Sequence, residues 1–221
     1  MMRRTLVLAV FLASNAIVAS PSYSSTVPTV PQDKKDHEKI LPEQRMFDFY
    51  RTKKKYLGLD HAKNVLEAGK WTRYYARKVG LEDQMETLLC LWHIESEFFD
   101  VPGIDGLSFG RAQTRYGYQK RLREWWKARG EILDPNDHAI STQMAFGVAE
   151  FWEKRNLATP RHDIFDTVRR YNGCGKAAIN HAKKVFRARR IIYGLKEPAP
   201  KPAPCPGKKQ PIQNKNQKAS K

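Results

Sequence analysis

Between about residues 42 and 195, apolar residues recur at intervals of three and four, the period of helices that bury one face. The pattern predicts helices over 42–55, over 60–79 with Asp60 as N-cap and Gly80 as the stop, and over 81–99. Glu82 and Asp83 fall in the first turn of the third, where acids suit the helix dipole. Further helices fit 119–129, 136–156, 164–170 and 176–192. Residues 100–114 break the period with Pro102, Gly103, Gly106 and Gly110. No run alternates apolar and polar residues as a half-buried strand does. The expected fold is mainly α, with any sheet small and confined to the glycine-rich stretch.

Outside that window the pattern fails. Residues 1–19 carry Arg3 and Arg4, an apolar run from Leu6 to Ala13, and small residues near Ala19 and Ser20. This order is that of a secretory signal peptide, and its apolar run is too short to span a bilayer. Export to a periplasmic or extracellular space is expected, with no transmembrane segment in the mature chain. Residues 20–41, rich in Ser, Thr, Pro and charge, are expected to form a flexible lead-in. The tail, 196–221, is mostly Lys, Pro, Gln and Asn, with too little apolar surface to offset its ordering entropy. A single domain over 42–195 remains.

Forty Lys and Arg against 23 Asp and Glu give a net charge of +17. Removing residues 1–19 takes away two arginines and no acids, which leaves +15. Such a chain is drawn to polyanions, and an exported one meets the anionic polymers of a cell envelope before nucleic acid. No nucleic-acid motif is present, and the basic residues are spread along the chain. Three cysteines, Cys90, Cys174 and Cys205, do not make a disulfide-rich scaffold and fit no zinc spacing.

The third helix carries the most informative residue. Leu88, Leu91, Trp92, Glu95, Phe98 and Phe99 share one helical face, so Glu95 occupies a core-like position within an apolar stripe. An isolated glutamate on a helix more often points into water, as Glu97 on the opposite side is expected to do. Desolvation disfavours the charged carboxylate, and a carboxyl that keeps its proton near neutral pH suits a general acid. A glutamic acid packed against a tryptophan, as in lysozyme, holds its proton in this way. Beyond Glu95, Ser108, Arg111, Gln113 and Thr114 add polar groups to the irregular stretch. Tyr171 and Asn172 precede Gly173 and Gly175 at a break between helices. Each alone reads as a plain loop or cap.

In this order they resemble a known family. His93-Ile94-Glu95-Ser96-Glu97-Phe98 resembles the Glu-Ser motif of the soluble lytic transglycosylases, whose glutamic acid is catalytic. Ser108-Phe109-Gly110-Arg111-Ala112-Gln113 is similar to their Ser-x-Gly-x-x-Gln motif, and Leu133-Asp134-Pro135 to the segment that follows it. Tyr171-Asn172-Gly173-Cys174-Gly175 resembles their Tyr-Asn-x-Gly motif, and Ala182-Lys183-Lys184-Val185 the helix after it. The likeness covers 81–193. Departures are Gly173-Cys174 where Ala-Gly is commoner, His181 near a usual Tyr, His138 near a usual Asn, and a short, less polar stretch between Phe99 and Ser108.

The resemblance implies a lysozyme-like domain of the goose-type or lytic transglycosylase kind, with a cleft between helical lobes. It implies cleavage of the β-1,4 bond between N-acetylmuramic acid and N-acetylglucosamine in peptidoglycan glycan strands, with closure of a 1,6-anhydro ring. Glu95 would be the single acid and base, with Ser96, Ser108, Gln113, Tyr171 and Asn172 binding substrate, and with neither metal nor cofactor. Hydrolytic glycosidases use two carboxylates, and Asp105 is the plausible second one here, so a hydrolytic muramidase stays an alternative. A non-catalytic peptidoglycan-binding protein on the same scaffold is another, against which the presence of Glu95 argues. The resemblance also folds the Tyr-Asn motif over the Glu95 helix. Either Cys90 and Cys174 bridge there, or Cys90 is a small buried residue and Cys174 a loop thiol; Cys205 is expected to be unpaired in both cases.

Overall fold

The structure, a computed structural model, describes residues 40–198 except 135, 137 and 159. The expected signal peptide, most of the lead-in, nearly all of the tail with Cys205, and Pro135 lie outside the described residues.

Among the described residues, seven α-helices and one small sheet follow each other in the order α1 (Pro42–Lys53), α2 (Leu59–Lys78), α3 (Met85–Ser96), β1 (Ser108–Phe109), β2 (Thr114–Arg115), α4 (Gln119–Lys127), α5 (Ile140–Leu157), α6 (Ile164–Tyr171) and α7 (Lys176–Tyr193). The fold is mainly helical, and its antiparallel pair sets Ser108 opposite Arg115 and Phe109 opposite Thr114. The glycine-rich stretch holds that sheet, as the pattern predicted.

Helix α1 packs on α2, α2 on α5, α3 on α7, and α5 on α6. Two helices form the interior. Every residue of α3 from Thr87 to His93 is buried, as is every residue of α5 from Thr142 to Phe151. A helix apolar all round belongs inside a bundle. The Trp92 indole N–H donates to the Thr72 hydroxyl across 3.2 Å, so its one polar atom is met in the core.

Several element ends differ from expectation. Helix α2 begins at Leu59 with Gly58 at the N-cap, so Asp60 lies inside the first turn and pairs with Lys63 at 3.1 Å. Gly58 takes the cap because its φ of 84° suits glycine. Helix α5 starts at Ile140, four residues later than expected. Asp134 and Asn136 turn their side chains onto the backbone N–H groups of Asn136 and His138 (2.7 and 3.1 Å), a local competitor of helix formation.

Helix α3 starts late too, after a 3-10 turn over Glu82–Gln84, and stops at Ser96 instead of residue 99. Glu97 and Phe98 both take left-handed conformations, φ 51° and 64°. Such residues are costly without glycine and persist where surroundings fix them. Phe98 is buried against the Tyr50 ring. The Glu97 carboxylate accepts from Lys54 Nζ at 2.9 Å, and its carbonyl accepts from His61 Nε2 at 2.9 Å. Glu95 therefore stands in the last turn of α3, directly before the chain bends into the glycine-rich loop. Glu97, expected to be solvated, is instead half-buried in that pinning contact.

Candidate functional site

Each part of the site depends on how loop 97–115 is held against α5. Gly147 makes close packing possible: a Cβ there would lie 2.6 Å from the Ala112 Cβ and 2.8 Å from Trp92 Cη2. Gln143, one turn earlier, accepts the Arg111 backbone N–H at 2.9 Å through its Oε1 and donates to the His138 carbonyl at 3.0 Å. Gly110, with φ 73°, passes against that same glutamine, where a side chain would meet Gln143 Oε1 at 2.8 Å. Ser96 Oγ donates to the Arg111 carbonyl at 2.6 Å, and Tyr171 Oη donates to the Ala112 carbonyl at 2.8 Å. One loop segment is thus tied to α3, α5 and α6.

The result is a cavity of about 320 Å³ lined by Glu95, Ser108, Gln113, Arg115, Glu150, Tyr171 and Asn172, together with Gly103, Ile104 and Asp105. That volume is in the range of small-molecule sites. Five of the six expected site residues, Glu95, Ser108, Gln113, Tyr171 and Asn172, meet there. Ser96 does not line it; its hydroxyl braces the loop from behind.

Glu95 presents a side chain that is 11% exposed. Its Oε1 lies 3.1 Å from Nε2 of His181 on α7, within ion-pair range but off the angle of a hydrogen bond. The Tyr171 ring lies 5.8 Å from Trp92, and burial pushes its hydroxyl well above the usual phenol range, so it stays neutral. Gln113 has a left-handed backbone (φ 50°) and spends its amide N–H groups on the Val101 and Gly110 carbonyls at 2.9 and 2.7 Å.

Asp105 lines the cavity but is occupied. One oxygen accepts from the Leu107 and Ser108 backbone N–H groups at 2.9 and 3.0 Å and from Ser108 Oγ at 2.9 Å. The Leu107 N–H, then the Ser108 hydroxyl, hold its carboxyl below the usual carboxylate range. It fixes the turn and is fully exposed, which makes it a poor base.

Glu150, on α5, joins the site without having been singled out by the sequence pattern. It is 4% exposed, and burial pushes its carboxyl up from the usual 4.5 to about 7. Its Oε2 has no hydrogen-bond partner among the described residues, while Oε1 lies 3.9 Å from Lys154 Nζ. The signal is present in the sequence, since Glu150 interrupts the apolar run from Met144 to Phe151 as Glu95 interrupts its own stripe. Arg115 is a second unexpected member, and nothing in its local pattern marks it.

A cavity of about 380 Å³ elsewhere is lined by Arg45, Arg73, Glu82 and Tyr193 among others. Its central cation is already satisfied: Arg73 contacts Glu43 at 2.6 Å and Glu82 at 3.2 Å. That face offers less free chemistry than the Glu95 cavity.

Cys90 and Cys174 are not joined. Cys90 is free and fully buried, and Cys174 is in a disulfide, so it is neither the partner of Cys90 nor a loop thiol. Cys90 faces the far end of α7, close enough to Arg189 and Tyr193 to interact electrostatically. Cys174 precedes the start of α7 and accepts from Arg169 Nη1 at 3.4 Å. The 18 residues of α7, ~27 Å of helix, separate those two ends, several times the span of a disulfide.

Among the described residues no three His, Cys, Asp or Glu side chains group as metal ligands, and no helix is long and apolar enough to cross a membrane. No protein family, curated protein or solved structure matches the chain.

Proposed function

We propose that this protein is an exported lytic transglycosylase of lysozyme-like fold that cuts peptidoglycan between N-acetylmuramic acid and N-acetylglucosamine. The observation that carries the reading is the convergence of Glu95, Ser108, Gln113, Tyr171 and Asn172, from three separate stretches of chain, on one cavity. The mainly helical architecture and the short sheet beside the acid support it. So does the charge of +17, which favours an anionic wall.

In this mechanism Glu95 gives its proton to the bridging oxygen, and the bond from that oxygen to the muramic acid anomeric carbon breaks. Glu95, now a carboxylate, takes the proton of the sugar's 6-hydroxyl as that oxygen closes onto the anomeric carbon. The two steps return Glu95 to its starting state and consume no water. His181 Nε2, 3.1 Å from Oε1, stands close enough to orient the carboxyl. The neutral Tyr171 holds loop 97–115 in place through the Ala112 carbonyl.

Digestion of purified peptidoglycan, followed by mass spectrometry of the fragments, tests this. Muropeptides ending in 1,6-anhydro-muramic acid are expected. Glu95→Gln should lower their release by ~100- to 10,000-fold, the usual worth of a general acid, with the melting temperature little changed. Release of muropeptides at the wild-type rate by a folded Glu95→Gln protein rules the reading out.

A further inference from the structure

We infer that Glu150 is a second acid–base carboxyl of this cleft, the base that delivers a water to the anomeric carbon, so that the site hydrolyses part of the bonds it cuts. The inference rests on the glycan-cleaving reading above and adds to it a second outcome for the same bond.

The geometry comes first. Glu150 reaches the Glu95 cavity from a different helix, so two carboxyls from α3 and α5 share one space of about 320 Å³. A buried acceptor left without a partner costs ~1 to 3 kcal/mol, and folded proteins keep few of them. Glu150 Oε2 is such an atom, and it belongs to a side chain lining the cavity. A water or substrate hydroxyl in the cavity would supply the missing donor. Hydrolysis of a glycosidic bond needs an acid on the leaving oxygen and a second carboxylate for the water. Asp105 is the weaker second group, because its Oδ1 accepts three hydrogen bonds from the turn at Leu107 and Ser108, which hold its carboxyl below the usual range and make it a poor base.

The electrostatics agree. Glu150 is faced by Lys154 and Glu153 of its own helix, Glu95 of α3 and Arg115 of β2, and it is felt by Tyr171 of α6; His181 of α7 stands on the far side of Glu95. Burial outweighs these charges and sets its midpoint near 7, where a base is ionised part of the time and still basic enough to take a proton.

The step balances. The water oxygen bonds to the anomeric carbon as the bond to the bridging oxygen breaks. Glu95 gives its proton to that oxygen, and Glu150 takes one proton from the water. Each carboxyl then exchanges its proton with solvent and returns to its starting form. The product is a reducing muramic acid end, heavier by one water than the anhydro end.

The two ends are counted in digests at about pH 6 and about pH 8, one unit either side of the Glu150 midpoint, between which its ionised fraction rises roughly tenfold. The ratio of reducing to anhydro ends should rise about tenfold over the same interval. In Glu150→Gln the ratio should fall by ~100-fold or more at pH 8, whatever happens to the total rate. A wild-type ratio that stays flat with pH overturns the inference even if the variant fails to fold, as does a folded variant with the wild-type ratio. Failure of the underlying reading looks different: the wild type then releases no muropeptides of either kind.

Discussion

A carboxyl on the buried side of a helix destabilises the fold unless a partner meets it, and this chain carries two that share a cavity. For Glu95 the near neighbour is His181, at 3.1 Å. His181→Phe keeps the bulk and removes the ring nitrogen. We expect turnover to fall roughly tenfold, equivalent to ~1.4 kcal/mol of barrier, with KM nearly constant and the pH profile of kcat displaced. Unchanged kcat and an unmoved profile would leave His181 as packing only. Glu95 is readable from the sequence because its apolar neighbours recur at helical spacing. Glu150 obeys the same rule but is hard to see, because the run around it, Met144 to Phe151, is apolar on every side and shows no face. His181 stands out as a departure from the family pattern, but its partner lies 86 positions earlier in the chain. That pairing is tertiary, and no local spacing encodes it.

At the scale of elements, the helices follow the apolar period, and their ends follow side-chain chemistry that the period does not contain. Phe98 and Phe99 continue the apolar stripe of α3, yet the chain leaves the helix before them. Phe98 gains a buried place beside Tyr50, and Lys54 and His61 hold Glu97. Those partners come from α1, the turn after it and α2, so the stop is set by packing. The loop that follows depends on one small residue of α5. Gly147→Ala would press its methyl into Ala112 and Trp92, and overpacking of this kind costs ~1 to 3 kcal/mol. Because Ala112 also accepts the Tyr171 hydroxyl, displacement should reach the cavity. A lowered melting temperature together with a disproportionate loss of wall lysis is expected, and wild-type values of both would refute this account of the loop.

For the whole molecule, two buried groups set opposite limits on the pH range of the fold. His93, which shares a 2.7 Å hydrogen bond with the Tyr50 hydroxyl, is held neutral by burial, its midpoint lowered from 6.5 to about 4. Its contribution is fully present above 6.5 and is lost as the pH falls toward 4, because the unfolded chain takes up the proton first. Glu150 acts in the other direction. Its folded midpoint near 7 lies above the usual 4.5, so the unfolded chain ionises first as the pH rises. Stability falls between about 4.5 and 7 and stays lower above that, by on the order of 3 kcal/mol at most. Glu150→Gln removes this second term and leaves the first. The variant should match the wild type near pH 4.5 and exceed its stability near pH 8, as read from denaturant midpoints across the range. Equal midpoints at pH 8 would mean that Glu150 ionises in the folded protein as easily as in water, and its burial in the cleft would then carry no energetic consequence.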